Sequence, residues 1–203
     1  MRYPPGQPVM TLLRFLFGLL FLAAGHIGLA QTVRVVMATD LGEIELELFP
    51  EQAPGTVENF LRYVDRGFYD GGVFHRTVTP ENQPGQTIRI EVVQAGTNPD
   101  RDPEDGPPIA LERTRDTGLR HHDGAISMAR LEPDSATSDF FICIGDQPEL
   151  DFGGRRNPDG QGFAAFGRVV RGMAVVRTIQ RAPAQMQKLN PPVGIHSVRR
   201  LAP

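Results

Sequence analysis

From Val33 to Leu48 hydrophobic and polar positions trade places along the chain. The alternation is strictest over Glu43-Ile44-Glu45-Leu46-Glu47-Leu48, and the β-branched stretch Val33–Thr39 precedes it. A period of two sends successive side chains to opposite faces of a sheet, so this segment predicts a hairpin with one solvated face, turned at Thr39-Asp40-Leu41-Gly42. The period then changes. Val57, Phe60, Leu61 and Val64 stand at i, i+3, i+4 and i+7, which predicts an amphipathic helix with Thr56 as its N-cap and Gly67 as its stop. Gly71-Gly72 returns the chain to extended structure at Val73–Val78. Further strands are predicted over Ile88–Gln94, Gly124–Ala129, Phe140–Ile144, Phe163–Val170 and Val193–Leu201. Met173, Val176 and Ile179 mark a short second helix. Residues 79–87 and 153–162 carry turn chemistry. Residues 95–123 read as a long polar loop in which Ile109-Ala110-Leu111 is a candidate short strand. Many short strands with two helices predict a β-rich domain, either a sandwich or a closed barrel.

Composition narrows the setting. The 203 residues, 40% of them apolar, suffice for one domain with an appendage and exclude a wholly disordered chain. The net charge of −3 argues against nucleic acid as a partner. A single cysteine excludes a disulfide scaffold and a multi-cysteine zinc site. That cysteine, Cys143, lies in Phe140-Phe141-Ile142-Cys143-Ile144 and is expected to pack as a small hydrophobe. The appendage is residues 1–30. Arg2 and Arg14 supply positive charge ahead of an apolar run, Phe15–Ala24, that is too short to span a bilayer, and Gly28-Leu29-Ala30 offers small residues before a cut at Gln31. This predicts a signal peptide, a mature domain over residues 31–203, and an exported, periplasmic or secreted protein. A retained leader is the one route to a membrane. Among candidate metal ligands, His121-His122-Asp123 places adjacent side chains on opposite faces, and the acidic segment Asp100–Gly106 lacks the alternation of a calcium loop; no metal site is expected.

Six segments carry a more specific signal. They are Gly42–Phe49 with Ala53–Phe60, Tyr69-Asp70-Gly71-Gly72-Val73-Phe74-His75-Arg76, Gln94-Ala95-Gly96, Ile126-Ser127-Met128-Ala129, Ser138-Asp139-Phe140-Phe141-Ile142, and Phe166-Gly167-Arg168-Val169 with Gly172-Met173. In this order, across nearly all of residues 33–201, they resemble the cyclophilins, the peptidyl-prolyl cis-trans isomerases. The resemblance implies a closed eight-stranded antiparallel barrel capped by two helices, a mainly β fold in which closure removes the exposed edges. It implies rotation about X-Pro bonds in unfolded or exposed segments of exported proteins, by a monomer that needs no cofactor. It also implies a site. Arg76 matches the catalytic arginine, Phe141 the floor of the proline pocket, and Gln94 a glutamine that orients the arginine or the substrate. Val92, Ala129, Asp139, Leu150 and Phe163 fall at substrate-binding positions.

The departures from the family pattern concentrate at that site. Residues 77–93 make the spacing between Arg76 and Gln94 longer than in compact members, so the family's pocket phenylalanine falls at Ile90 or Glu91 and its methionine near Val92. Arg130 stands where asparagine is frequent, Asp139 replaces a glutamine, and Phe163 replaces a histidine. With no tryptophan in the chain and Glu149 near the tryptophan position, a cyclosporin-like ligand is expected to bind weakly. Asp139 is placed to pair with Arg76 or Arg130. The altered pocket leaves one alternative, a cyclophilin-like peptide-binding module or chaperone with weak or no isomerase activity.

Overall fold

The computed structural model describes residues 1–2, 32–100 and 106–202. All but the first two residues of the predicted leader lie outside the described residues. The chain runs β1 (Val33–Thr39), β2 (Gly42–Leu48), α1 (Pro54–Asp65), β3 (Val73–Val78), β4 (Val92–Gly96), α2 (Thr114–Thr117), β5 (Ala125–Met128), β6 (Phe140–Cys143), β7 (Ala165–Arg171), α3 (Met173–Gln180), β8 (Ala184–Gln185) and β9 (Lys188–Arg200). Strand order is β1-β2-β7-β5-β6-β4-β3-β9, every pair is antiparallel, and β9 pairs back onto β1. Eight strands therefore close on themselves, and two-residue β8 is an appendage to β9. The expected barrel is present, with the single turn α2 added inside the long polar loop. The candidate strand at Ile109 reduces to one bridge, to Ala136.

Alternation decides what enters the barrel. Val35, Met37, Ile44, Leu46 and Leu48 point inward and are fully buried, whereas Glu43 and Glu45 of β2 face out. Phe60 of α1 closes the core from one end, edge-on to Phe140 at 5.6 Å and tilted against Phe166 at 5.2 Å. The start of α1 differs from expectation. Thr56 is not its N-cap; Ala53 holds that position and no side chain caps it. The open amides of Gly55 and Thr56 instead donate to the carboxylate of Glu112, at 3.0 and 2.8 Å, so an anion from the distant loop supports the positive end of the helix. Gly67 does stop the helix. Its φ of 67° lets Gly67 N–H reach Val64 O and Phe68 N–H reach Tyr63 O, each at 3.0 Å, while the Phe68 ring packs on Tyr63.

Two strand boundaries also moved. The segment predicted from Ile88 joins the ladder only at Val92, because residues before it belong to the insertion. The last strand starts early, at Lys188, and passes Asn190-Pro191-Pro192 outside the β3–β9 ladder, which skips from Lys188 to Val193. Proline lacks the N–H a ladder position requires.

Candidate active site

The alternation that fills the barrel also builds a second, smaller apolar cluster on its outside. On β6, Phe140 and Ile142 enter the main core, while Phe141 and Cys143 join Val78, Ile90, Val92, Ala125 and Leu150 on the outer face. Cross-strand register then aligns one rung over four strands: Arg76 opposite Gln94, Gln94 opposite Phe141, Phe141 opposite Ser127. Arg76 reaches this rung through an irregularity. The β3–β4 register shifts between Phe74 and Arg76, so His75 is an extra residue. In an unbroken strand Phe74 and Arg76 would share a face. The bulge lets Phe74 stay in the core, fully buried, and turns Arg76 outward.

The guanidinium is held from both edges. Nη1 donates to Gln94 Oε1 at 2.9 Å, and Nε and Nη2 both donate to Gln187 Oε1 at 2.9 and 2.7 Å. Gln187 lies in the β8–β9 turn and was not visible as a site residue in the sequence. Its amide donates to Asn82 O (3.1 Å), and Asn82 Nδ2 donates to Met186 O and Thr77 O (both 3.0 Å). Both groups belong to the stretch that lengthens the chain between Arg76 and Gln94, which thus braces the arginine. Both acceptors on Arg76 are neutral amides. Burial, and secondarily the charge of Arg156, lower its pKa from the ordinary guanidinium value, and a guanidinium remains charged at any physiological pH.

Beside the guanidinium opens a cleft of about 440 Å³. It brings together all eight positions named from the sequence: Arg76, Gln94, Phe141, Val92, Ala129, Asp139, Leu150 and Phe163. Phe141 is 5% exposed and meets the Phe163 ring edge-on at 5.3 Å. Of the two register options, Ile90 lines the cleft, while Glu91 accepts from Gln180 at 2.9 Å. Glu149 is outside the lining; it pairs with Arg155 at 2.8 Å, and Arg156 and Asn157 occupy that wall. Asp139 accepts from Gln94 Nε2 (3.1 Å), so its link to Arg76 passes through the glutamine. Arg130 is taken by Asp159 (2.7 and 3.0 Å) and by Gly162 O, with its guanidinium 5.1 Å from the Phe163 ring centroid.

Under the pocket floor lies His121, 1% exposed, its ring stacked on Phe141 at 5.9 Å and 15°. Nδ1 is 2.8 Å from Asp151 Oδ1 and Nε2 is 3.0 Å from Ser127 Oγ. Burial outweighs the attraction of Asp151 and lowers the imidazole pKa from 6.5. The neutral ring therefore donates from Nδ1 to the carboxylate and accepts the Ser127 hydroxyl at Nε2. The neighbouring His122 turns to Asp146 (3.3 Å), so the two rings serve different partners. Cys143 is fully buried and burial raises its thiol pKa far above the ordinary range, in keeping with a packing role.

The family model of the cyclophilin type peptidyl-prolyl cis-trans isomerases matches residues 34–200, the whole barrel. The chain belongs to this family. It is 40% identical over 155 residues to peptidyl-prolyl cis-trans isomerase A of Dickeya dadantii, covering 76% of this chain and 74% of that protein. It is 34% identical over 147 residues to peptidyl-prolyl cis-trans isomerase B of Escherichia coli, covering 72% and 83%. Among solved structures, a cyclophilin type isomerase of Cryptosporidium parvum superposes with a TM-score of 0.69 at 21% identity, over 85% of this chain and 99% of that one. That likeness shows the fold. The cyclophilin-type assignment makes the chain a peptidyl-prolyl cis-trans isomerase, an enzyme acting on proline-containing peptides.

Proposed function

We infer that the mature domain, residues 31–203, works outside the cytoplasm, turning X-Pro bonds in unfolded or exposed segments of other exported proteins, and that the Arg76 cleft is where it does so. Amide resonance sets a barrier of ~18–20 kcal/mol to this rotation. No covalent bond breaks, so a catalyst has only to hold the proline and favour the twisted state. In that state the proline nitrogen is pyramidal and regains a lone pair. Phe141, Leu150, Phe163 and Val92 offer an apolar seat for the ring, and Arg76 stands at its edge as a fixed, charged fork able to donate to that nitrogen or to the adjoining carbonyl. The observation that carries this reading is the pair of neutral amides on Arg76: they fix its direction and leave its charge for the substrate.

The test is exchange between cis and trans proline signals of a capped tetrapeptide, followed by NMR. One preorganised donor aimed at developing electron density is worth on the order of 3–4 kcal/mol, so Arg76→Ala should lose about 10²–10³ in kcat/KM while melting like the parent. A peptide-binding module would instead bind the tetrapeptide and leave exchange at its spontaneous rate in both proteins. Export rests on the Gly28-Leu29-Ala30 pattern before Gln31. Mass spectrometry of protein recovered from the exporting host should find a chain beginning at Gln31; a full-length, membrane-retained product would remove that part of the reading.

A further inference from the structure

The cleft holds more positive charge than the rotation of a neutral X-Pro bond uses. Three guanidiniums line it: Arg76, Arg130 and Arg156. Arg130 is compensated by Asp159 and its side chain is only 1% exposed. Arg155, next in sequence to Arg156, is compensated by Glu149. Arg156 is different. It is partly buried, and among the described residues its guanidinium makes one hydrogen bond, from Nη1 to the neutral carbonyl of Ile88 at 2.8 Å. Burial lowers its pKa, and it lies close enough to Arg76 to lower that one too. Its neighbour on the wall, Asn157, has a side-chain amide nitrogen with no acceptor among the described residues. Among the described residues the one carboxylate lining the cleft is Asp139, which sits on the far side of Gln94 and engages it. This wall therefore has donors and cations in excess of acceptors, and two like charges facing one space.

Holding an uncompensated, half-desolvated cation beside another is unfavourable unless something brings the opposite charge. A guanidinium that spends one of its five N–H groups on a carbonyl keeps enough of its fork to grip a carboxylate in bidentate fashion. We propose that Arg156 is a specificity-determining residue, selecting proline segments that carry a carboxylate next to the X-Pro bond. This rests on the isomerase reading of the cleft and refines it. The acid can stand before or after the proline; the chemistry at Arg156 is the same, and the peptides below separate the two.

The experiment uses N-acetylated, C-amidated tetrapeptides, so that no terminal carboxylate competes. Ala-Ala-Pro-Ala is compared with Ala-Glu-Pro-Ala and Ala-Ala-Pro-Glu and with the matching glutamine peptides. NMR exchange gives kcat/KM and chemical-shift titration gives Kd, at low and at raised salt. At low salt at least one glutamate peptide should exceed its glutamine partner by roughly tenfold in kcat/KM, and the advantage should shrink as salt screens it. Which peptide gains tells where the acid sits. Arg156→Gln, which keeps a donor for Ile88, should bring the Glu/Gln ratio close to one, and Arg156→Lys, which keeps the charge but loses the fork, should retain only part of it. A wild-type protein that treats Glu and Gln peptides alike, or a ratio that survives Arg156→Gln, would overturn the proposal and leave the isomerase reading intact. A protein that accelerates no peptide, yet binds the glutamate peptides more tightly through Arg156, would do the reverse.

Discussion

Two stretches of the barrel wall carry arginines and treat them in opposite ways. On the outer face of β1, β2 and β7, Arg34, Arg168 and Arg171 meet the carboxylates of Glu43, Glu45 and Glu47 at 2.7–3.3 Å. Across the barrel, on β3 and on the loop before β7, the guanidiniums of Arg76 and Arg156 meet only neutral oxygens among the described residues. The first arrangement is an exposed ion-pair lattice of the kind worth ~0–1 kcal/mol per pair, covering a sheet face with charge. The second leaves cations with unspent charge at the mouth of an apolar pocket. The two groups differ in partner and in burial: Arg34, Arg168 and Arg171 are exposed and ion-paired, whereas Arg76 and Arg156 are partly buried against neutral oxygens. The site face is also built differently. The β1–β2 lattice follows from a local alternation, whereas the cleft needs a bulge, an insertion and a turn more than a hundred residues away from the residue it holds.

The largest effect should come from the rings on either side of the β6 strand. Phe140 is fully buried among Phe60, Tyr69 and Phe74, so Phe140→Ala should cost about 3–5 kcal/mol in denaturant unfolding. Phe141→Ala lies in the smaller outer cluster, where the open cleft allows relaxation. It should lose less stability but raise KM for proline peptides. Equal stability losses with KM unchanged would mean that both rings are simply core.

Next is the brace on Arg76. Gln187→Ala frees two of its three hydrogen bonds and should lower kcat about tenfold, near 1.4 kcal/mol, with KM little changed. Gln187→Glu can restore those bonds, but it gives Arg76 the charged partner found on the β2 face. It should stay as slow as the alanine variant. Full activity in Gln187→Glu would show that neutrality of the partner does not matter.

The smallest effect is on the pH dependence of stability. His121 is neutral in the folded protein with a pKa below 6.5, so the unfolded chain binds the extra proton more readily. Its contribution is complete above pH 6.5 and is lost as pH falls through the depressed folded value. Melting temperature should fall on acidification from pH 6.5, before the carboxylates titrate, and His121→Asn should flatten that limb. An unchanged limb would place the titration elsewhere.

Much of this architecture was legible in the sequence, for reasons specific to each element. The β1–β2 hairpin announced itself through Glu43–Leu48, where the charge alternation is the ion-pair lattice. Five cleft positions, Arg76, Gln94, Ala129, Asp139 and Phe141, were reachable because they lie in the matched segments, which follow one another in family order; Val92, Leu150 and Phe163 were placed by counting from them. What stayed hidden depends on contacts between distant residues. Glu112 accepts from the first amides of α1 across 57 residues, Gln187 holds Arg76 across 111, and the His75 bulge leaves no mark in composition. His121 was weighed as a metal ligand; the ring is instead the support beneath Phe141. Glu149 was placed in the pocket by counting, and a local pair with Arg155 draws it away.

The central claim is that Arg76 acts as an oriented, unneutralised fork. The measurement that bears on it most directly is kcat/KM for Arg76→Lys against Arg168→Lys, by NMR exchange on the same capped proline peptide. Lysine keeps the charge and loses the fork. The account predicts that Arg76→Lys falls to nearly the level of Arg76→Ala, about 10²–10³ below the parent, and that Arg168→Lys, on the ion-paired face, matches the parent. Parent-like kcat/KM in Arg76→Lys, or an equal loss in both variants, would contradict it.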